Sequence, residues 1–216
     1  TDTAIEAGCR LASEYGTSTV CVKSYSIPMA KEFLAGSGVA VCAVIGFPHG
    51  NSTTAIKVQE AQEAVKAGAP EIDMVVNIGK ALGGQWGYVS DEIRAINKSV
   101  VGLGGILKVI FENDYLQDQH IIRLCEMCSE HAVAFVKTSS GYGFIKQSDG
   151  NYSYKGATLE QVRLMRCHCA PTVQIKAAGG IRSLDDLLAF REIGASRIGA
   201  TATKEIVEEA RARGIR

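Results

Sequence analysis

Short apolar runs alternate with longer amphipathic stretches along most of this chain. The apolar runs are rich in small and β-branched residues and have the length of strands, and the stretches between them show helical spacing. Regular alternation of strand and helix predicts βαβ units with a parallel sheet. The predicted strands cover residues 18–24, 39–47, 71–77, 106–112, 134–140, 172–180 and 196–202, and the predicted helices cover residues 2–15, 27–36, 53–68, 88–100, 118–131, 158–169, 183–193 and 203–213.

The number of these elements bears on the fold class. A helix comes first and the strands number seven, whereas a closed (β/α)8 TIM barrel needs eight strands. We expect an α/β TIM barrel whose first strand precedes Thr1 and is missing from this sequence. A doubly wound open sheet is the alternative, but its G-x-G-x-x-G dinucleotide fingerprint is absent after the first strand. Because no linker or change of composition divides the chain, we expect one domain over residues 1–216.

Two lysines occupy unfavourable positions in predicted central strands. Lys137 in FVKTSSGYG and Lys176 in VQIKAAGG lie in runs that we expect to be buried, where an ammonium group is costly. Two cations in one pocket oppose each other's charge, so we expect at least one of the two pKa values to be depressed. A lysine that is neutral near pH 7 is a nucleophile that forms Schiff bases with carbonyl compounds. The pair therefore indicates carbonyl chemistry.

Side-chain alternation adds further residues to the same face of the predicted sheet. Asp73, Lys108, Lys137 and Lys176 fall on the polar face of four successive strands, and Cys21 falls on that face of the first strand. Because helices cover the outside of a barrel, we expect these side chains to point into its mouth. A single such lysine is more simply explained as a strand end that reaches solvent. Four matched charged positions favour a site instead.

Glycine-rich turns follow the last two predicted strands. AAGGIRS comes directly after the Lys176 strand, and RIGATAT leads into the last helix. Exposed N–H groups at glycine turns and at a helix N-terminus suit a phosphate, and phosphate sites after strands 7 and 8 recur in TIM barrels. We therefore predict an anion site here, to which Arg182 can add a charged contact. A long loop rich in Gly, Tyr and Ser, residues 141–158, follows the Lys137 strand, where barrels keep functional loops.

Composition argues against several classes of protein. Lys+Arg and Asp+Glu both number 23, so the sequence indicates no basic surface for nucleic acid. No apolar run is long enough to span a bilayer and TDTAIEAGCR does not resemble a signal peptide, so we expect a soluble, cytoplasmic protein without a membrane partner. The 7 cysteines do not predict a disulfide framework in a chain of this class. A zinc site is conceivable, although helix cysteines packed as small apolar side chains are the simpler interpretation; its ligands would be Cys125, Cys128, Cys167 and Cys169.

Five motifs together resemble one known family. FVKTSSG, QIKAAGGIRS, EIDMVVN, LKVIFE and GFPHGN are similar to the motifs of deoxyribose-phosphate aldolases, which are class I aldolases on a TIM barrel. The resemblance implies reversible cleavage of 2-deoxy-D-ribose 5-phosphate to acetaldehyde and D-glyceraldehyde 3-phosphate. It also implies that no metal or cofactor is needed, because the protonated imine withdraws the electrons. Family habit further suggests a homodimer or a homotetramer.

The same resemblance assigns roles to individual residues. Lys137 resembles the Schiff-base lysine, Lys176 resembles the second lysine that depresses its pKa, and Asp73 resembles the carboxylate of a proton relay. Lys108 resembles a supporting lysine of the site, and Cys21 is expected to line the pocket, where excess aldehyde can react with it. The positions that match the family's phosphate pocket are Gly141, Gly179, Gly180, Gly199 and Thr201.

Two alternatives remain open at this point. One is another Schiff-base aldolase or transaldolase of sugar phosphates, which only substrate turnover separates from the first interpretation. The other is a catalytically silent barrel that serves as a binding protein. The joint presence of Asp73, Lys137 and Lys176 favours an enzyme.

Overall fold

A curled parallel sheet with helices between its strands forms the computed structural model, which describes residues 1–215. Seven strands build this sheet, and each pairs in parallel with its neighbours. Two further, very short strands form a separate antiparallel hairpin. In chain order the strands are β1 (Thr19–Lys23), β2 (Ala40–Ile45), β3 (Glu71–Val75), β4 (Ile106–Ile110), β5 (Phe135–Lys137), the hairpin strands β6 (Ile145–Lys146) and β7 (Tyr152–Ser153), β8 (Gln174–Ala178) and β9 (Arg197–Gly199).

Most of the helices connect successive strands, while the first precedes β1 and the last follows β9, and together they cover the outside of the sheet. None of the helices within residues 1–215 is both long and apolar enough to cross a bilayer. They are α1 (Asp2–Tyr15), α2 (Ile27–Phe33), α3 (Thr54–Ala67), α4 (Ile78–Leu82), α5 (Trp86–Gly102), α6 (Asp118–Glu130), α7 (Leu159–His168), α8 (Leu184–Glu192) and α9 (Thr203–Ala212).

The predicted α/β architecture is confirmed, with differences at the ends of elements. All seven predicted strands form the sheet in the order β1-β2-β3-β4-β5-β8-β9, and β1 and β9 are its unpaired edges within the described residues. The strands end earlier than predicted because their last residues turn into loops. The sequence did not predict α4, which begins where the Asn77 side chain accepts a hydrogen bond from Lys80 N, or the hairpin inside the 141–158 loop. The predicted helix 27–36 ends at Phe33.

Alternation along β3 shows why this sheet places charge inside. All five residues of the strand are buried. Ile72 and Met74 belong to the apolar core and are fully buried, whereas Asp73 between them projects to the opposite face. A strand buried on both faces can hold a carboxylate only if it has charged or hydrogen-bonding partners. The inner face of the sheet supplies those partners.

A second buried ion pair, on the helical side, supports the end of β3. Lys57 Nζ on α3 donates hydrogen bonds to Glu92 Oε1 and to Val75 O, both at 2.8 Å. Glu92 Oε2 on α5 accepts a hydrogen bond from Asn77 N at 2.9 Å, and both charged side chains are fully buried. Burial lowers the pKa of Lys57 and raises the pKa of Glu92, while their pairing opposes both shifts. The pair therefore ties two helices to the backbone that follows Asp73.

Removal of one member of this pair should destabilise the fold. We expect Glu92→Ala to lower the free energy of unfolding by about 3–5 kcal/mol, because it leaves a buried ammonium without a counter-charge. The double variant Lys57→Met with Glu92→Leu should lose less of the free energy of unfolding than Glu92→Ala alone, because it leaves no buried charge unpaired. Urea denaturation of the wild type and of both variants measures these differences.

The control is Asp91→Ala, one residue earlier in α5, which breaks an exposed ion pair with Arg94 and should leave stability nearly unchanged. Equal losses from Glu92→Ala and Asp91→Ala would contradict the role given to the buried pair.

Candidate active site

The carboxylate of Asp73 lies at the centre of a group of buried charges on the inner face of the sheet. Asp73 Oδ2 accepts hydrogen bonds from Lys137 Nζ at 2.8 Å and from Lys176 Nζ at 2.9 Å. Its other oxygen, Oδ1, accepts one from Lys108 Nζ at 2.7 Å. All four side chains are buried. The structure thus brings together the four charged residues that side-chain alternation placed on one face, and we call them the Asp73 cluster.

Strand register explains how residues far apart in the sequence meet here. Asp73 on β3 is directly opposite Lys108 on β4, and Lys137 on β5 is directly opposite Lys176 on β8. Between β4 and β5 the register is shifted, since Lys137 lies opposite Ile110 rather than opposite Lys108. Such a stagger accompanies the tilt of strands in a barrel-like sheet. It lets the two lysines reach the same oxygen of Asp73.

A second layer of charge lies beside this cluster. Glu71 Oε2, two residues before Asp73 on the same face, lies 2.8 Å from Lys108 Nζ and 3.4 Å from Arg197 Nη1. The Arg197 guanidinium also lies over the ring of Phe135 at 5.5 Å from its centroid. The sequence analysis gave no role to Glu71 or to Arg197. Glu71 could have been found from the sequence, because it lies two residues before Asp73 and so shares its face of the strand.

Two thiols complete the surroundings of Asp73. Cys42 Sγ donates a hydrogen bond to Asp73 Oδ1 at 3.1 Å and accepts one from Lys108 Nζ at 3.2 Å. Cys21, exposed on the edge strand β1, is opposite Cys42 in the β1–β2 register. The neighbouring Cys42 thiol lowers the pKa of Cys21 to about 6. Sequence reasoning missed Cys42 because a cysteine inside VAVCAVIGF resembles any small apolar residue.

The electrostatics of the cluster differ from the sequence-based expectation. Burial lowers the pKa of Lys137, but the Asp73 carboxylate outweighs burial, and the net pKa of this amine is raised. Burial likewise raises the pKa of Asp73, but Lys137, Lys176 and Lys108 together hold it well below its usual range. The depressed pKa expected for Lys137 was therefore wrong. That expectation weighed the two lysines against each other and gave too little weight to the carboxylate bonded to both.

Lys108 differs from the other two lysines because two carboxylates bind it. Burial lowers its pKa, but Asp73 and Glu71 outweigh burial and raise it. A fully buried amine held in this way remains an ammonium group. Its charge and its hydrogen bond to Asp73 Oδ1 orient the carboxylate toward Lys137 and Lys176.

The glycines predicted to bind phosphate lie at the ends of β8 and β9. Gly179 and Gly180, directly after β8, adopt positive φ values of 98° and 78°, a conformation that favours glycine. Gly199 ends β9 opposite Ala178, and a Cβ atom there would lie 3.5 Å from Lys176 Cε. The remaining candidates are Gly141, which has a φ of 89° and open space around it, and the exposed residues Arg182 and Thr201.

The helix that follows Thr201 has an uncapped start. At the N-cap position of α9 stands Ala202, which provides no side-chain hydrogen bond. By contrast, Ser183 caps α8 by accepting a hydrogen bond from Asp186 N. Free N–H groups at a helix N-terminus attract anions. The start of α9 is therefore compatible with the predicted phosphate site.

The cysteines considered for zinc do not form a set of ligands. Cys125, Cys128 and Cys169 are buried in the core. Cys167 is exposed. Within residues 1–215, the one group of three possible ligands is formed by Cys21, Cys42 and Asp73, whose carboxylate already accepts hydrogen bonds from three ammonium groups. Those positive charges disfavour a cation at this position.

Comparisons with known proteins agree with this geometry. Residues 2–208 match the profile of the DeoC/LacD family aldolases. The chain is 47% identical to the deoxyribose-phosphate aldolase of Rhodopirellula baltica over 211 residues, which cover 98% of this chain and 83% of that protein. It is 44% identical to the deoxyribose-phosphate aldolase of Caldanaerobacter subterraneus over 212 residues, which cover 98% and 87% of the two chains.

A solved structure shows the same fold. The chain superposes on the tetrameric deoxyribose phosphate aldolase of Aeropyrum pernix with a TM-score of 0.86 and 27% sequence identity, over 99% of this chain and 86% of that one. The extent of these matches, together with the Asp73 cluster, shows that the chain belongs to the DeoC/LacD family of aldolases.

Proposed function

We propose that this protein is a class I aldolase that reversibly cleaves 2-deoxy-D-ribose 5-phosphate to acetaldehyde and D-glyceraldehyde 3-phosphate. The observation on which the proposal rests is the buried Asp73 carboxylate shared by the amines of Lys137 and Lys176. The names of the relatives support the substrate. Aldehyde chemistry through a lysine requires an amine nucleophile with a proton-transfer group beside it, and this cluster contains both.

In the proposed mechanism Lys137 forms the covalent bond. After losing a proton, Lys137 Nζ adds to the C1 aldehyde, and loss of water leaves an iminium ion. The C2–C3 bond then breaks, its electron pair moves into an enamine, and the proton of the C3 hydroxyl passes to a base. Protonation of the enamine at C2 and hydrolysis of the resulting imine release acetaldehyde. D-Glyceraldehyde 3-phosphate is the other product.

The geometry supports a division of labour between the two lysines. Both amines donate to Asp73 Oδ2, so one oxygen connects Lys137 with Lys176 and offers a path for the proton that Lys137 must lose. Lys176 and Asp73 together are positioned to return a proton to the enamine. Lys108, held by Asp73 and Glu71, supplies positive charge and orientation without reacting.

The phosphate is proposed to bind beyond the lysines, at the ends of β8 and β9. The glycine turn at Gly179 and Gly180 and the uncapped start of α9 offer backbone N–H groups there. Gly141, Gly199 and Thr201 are proposed to line this pocket, and Arg182 to contribute charge at its rim. The positive charge of the three lysines attracts an anionic substrate as well.

We further propose that the enzyme acts in the cytoplasm as a homo-oligomer without a metal or cofactor. The tetrameric aldolase of Aeropyrum pernix supports self-association. Turnover of another sugar phosphate in preference to the deoxyribose compound would favour a related Schiff-base aldolase or a transaldolase. Absence of any turnover would favour a binding protein.

Reductive trapping tests the covalent step. Borohydride added with 2-deoxy-D-ribose 5-phosphate should attach the substrate-derived group to Lys137, and mass spectrometry of peptides identifies the modified residue. Lys137→Met should abolish trapping and lower kcat by at least about 10³-fold, because it removes the nucleophile. Lys146→Met, an exposed lysine of the hairpin, is the control and should keep both properties. Trapping that persists in Lys137→Met would refute the assignment.

The pH profile tests the charge state of Lys137. Because the pKa of Lys137 is raised in the folded protein, the amine is largely protonated at neutral pH, and its reactive fraction grows as the pH rises. We expect kcat/KM for 2-deoxy-D-ribose 5-phosphate to increase from about pH 6 to about pH 9. In Asp73→Asn, loss of the carboxylate should shift the rise to lower pH, at a reduced maximum. A wild-type profile that is already flat from pH 6 would contradict the raised pKa.

Labelling of Cys21 tests whether its thiol belongs to the pocket. With a pKa lowered to about 6, Cys21 is largely a thiolate at neutral pH, and the thiolate is the form that reacts with electrophiles. We expect iodoacetamide to modify Cys21 faster than the other exposed cysteine, Cys167, and substrate to slow only the reaction of Cys21. Cys21→Ala should also tolerate acetaldehyde better than wild type. Equal labelling of both cysteines, with or without substrate, would place Cys21 outside the pocket.

A further inference from the structure

The loop that follows the reactive lysine is held at both ends by one short turn. This loop, residues 140–156, contains the β6–β7 hairpin, and the turn, residues 112–114, follows β4. At the near end Glu112 Oε1 accepts a hydrogen bond from Ser140 N at 3.1 Å. At the far end Asp114 Oδ1 accepts one from Lys155 N at 2.5 Å, and Asp114 Oδ2 accepts one from Gly156 N at 3.1 Å. Two carboxylates therefore fix where the loop departs and where it returns.

The end of the loop at residues 155–156 packs against the turn at Gly179 and Gly180, where we propose that the phosphate binds. Ala157 N donates a hydrogen bond to Gly179 O at 3.1 Å, and a Cβ atom on Gly156 would lie only 2.5 Å from that same oxygen. Ser139 also lies close to Gly179, because a Cβ atom on Gly179 would be 3.3 Å from Ser139 Cβ, and the buried Oγ of Ser139 has no hydrogen-bond partner within residues 1–215. The conformation at Gly179 thus depends on where Gly156 is held.

We propose that Asp114 is a positioning residue that sets the preference for phosphorylated substrates by holding Gly156 against the Gly179 turn. This inference rests on the proposed function and concerns the phosphate end of the same site. Asp114 makes none of the hydrogen bonds of the Asp73 cluster. Its loss should therefore affect phosphate recognition and leave the covalent chemistry of Lys137 in place.

The chemistry of the side chain explains why an aspartate is needed. Two successive backbone N–H groups, those of Lys155 and Gly156, converge on one carboxylate, and hydrogen bonds to a charged acceptor are about twice as strong as neutral ones. Asparagine keeps one acceptor oxygen, whereas alanine keeps none. We therefore expect Asp114→Ala to weaken phosphate recognition more than Asp114→Asn does.

The matched control lies at the tip of the same loop. Asp149 also accepts a backbone hydrogen bond, from Asn151 N at 2.9 Å, and its other oxygen accepts one from Asn151 Nδ2 at 3.0 Å. None of these contacts reaches Gly156 or Gly179. Asp149→Ala therefore removes a similar local interaction without releasing the returning end of the loop.

Steady-state kinetics with 2-deoxy-D-ribose 5-phosphate and with unphosphorylated 2-deoxy-D-ribose test the proposal. We expect Asp114→Ala to raise KM for the phosphate ester about 10-fold, to change kcat for it little, and to leave kcat/KM for the free sugar within about twofold of wild type. Asp114→Asn should show a smaller shift, and Asp149→Ala none. Equal losses with both sugars, a loss confined to kcat, or no change at all would each overturn the proposal.

Binding of inorganic phosphate separates this inference from the proposed function. Calorimetric titration should show that Asp114→Ala weakens phosphate binding about 10-fold, whereas Asp149→Ala binds like wild type. If wild type cleaves neither sugar, the proposed function fails, and the titration still decides the role of Asp114. If wild type cleaves the phosphate ester but Asp114→Ala binds phosphate unchanged, the role of Asp114 fails and the function stands.

Discussion

The hydrogen bonding of three buried lysines to one buried carboxylate is the constraint on which this structure depends. An ammonium group inside a sheet is tolerated only with a counter-charge, and Asp73 provides one for Lys108, Lys137 and Lys176. Those residues lie on four strands, so the cluster can form only when the sheet curls and staggers as observed. The curl and stagger of the sheet are therefore required by the Asp73 cluster as well as by the fold.

That constraint also sets the resting state of the proposed nucleophile. The same carboxylate that stabilises the folded chain raises the pKa of Lys137 and keeps the amine charged. Schiff-base formation then requires the proton to leave, and the oxygen that binds Lys137 also binds Lys176. A single interaction thus stabilises the protein before the reaction and connects the two amines during it. The position of the carboxylate beside such a lysine, rather than burial alone, therefore decides its pKa and its reactivity.

Buried or partly buried carboxylates play a comparable part elsewhere in the molecule. Glu92 accepts hydrogen bonds from Lys57 and from the backbone after β3, whereas Glu112 and Asp114 hold the loop after β5. In each case carboxylate oxygens accept hydrogen bonds from backbone N–H groups in a connection that follows a strand, where no neighbouring strand satisfies them. The loops around the site therefore take their positions from side chains on neighbouring connections.

Much of this architecture is local in origin and was predictable from the sequence. The alternation of strands and helices follows from apolar periodicity, and a period of two places Asp73, Lys108, Lys137 and Lys176 on one face. The sequence by itself thus determined the fold class and which charged side chains point inward. Only the tertiary structure decided the rest, because Asp73 and its partners Lys137 and Lys176 lie 64 and 103 residues apart. Contacts between residues that are distant in the sequence set the direction of the pKa shift of Lys137, the hydrogen bond of Cys42 to Asp73 and the hydrogen bonds of Asp114 to Lys155 and Gly156. No local sequence pattern encodes these contacts.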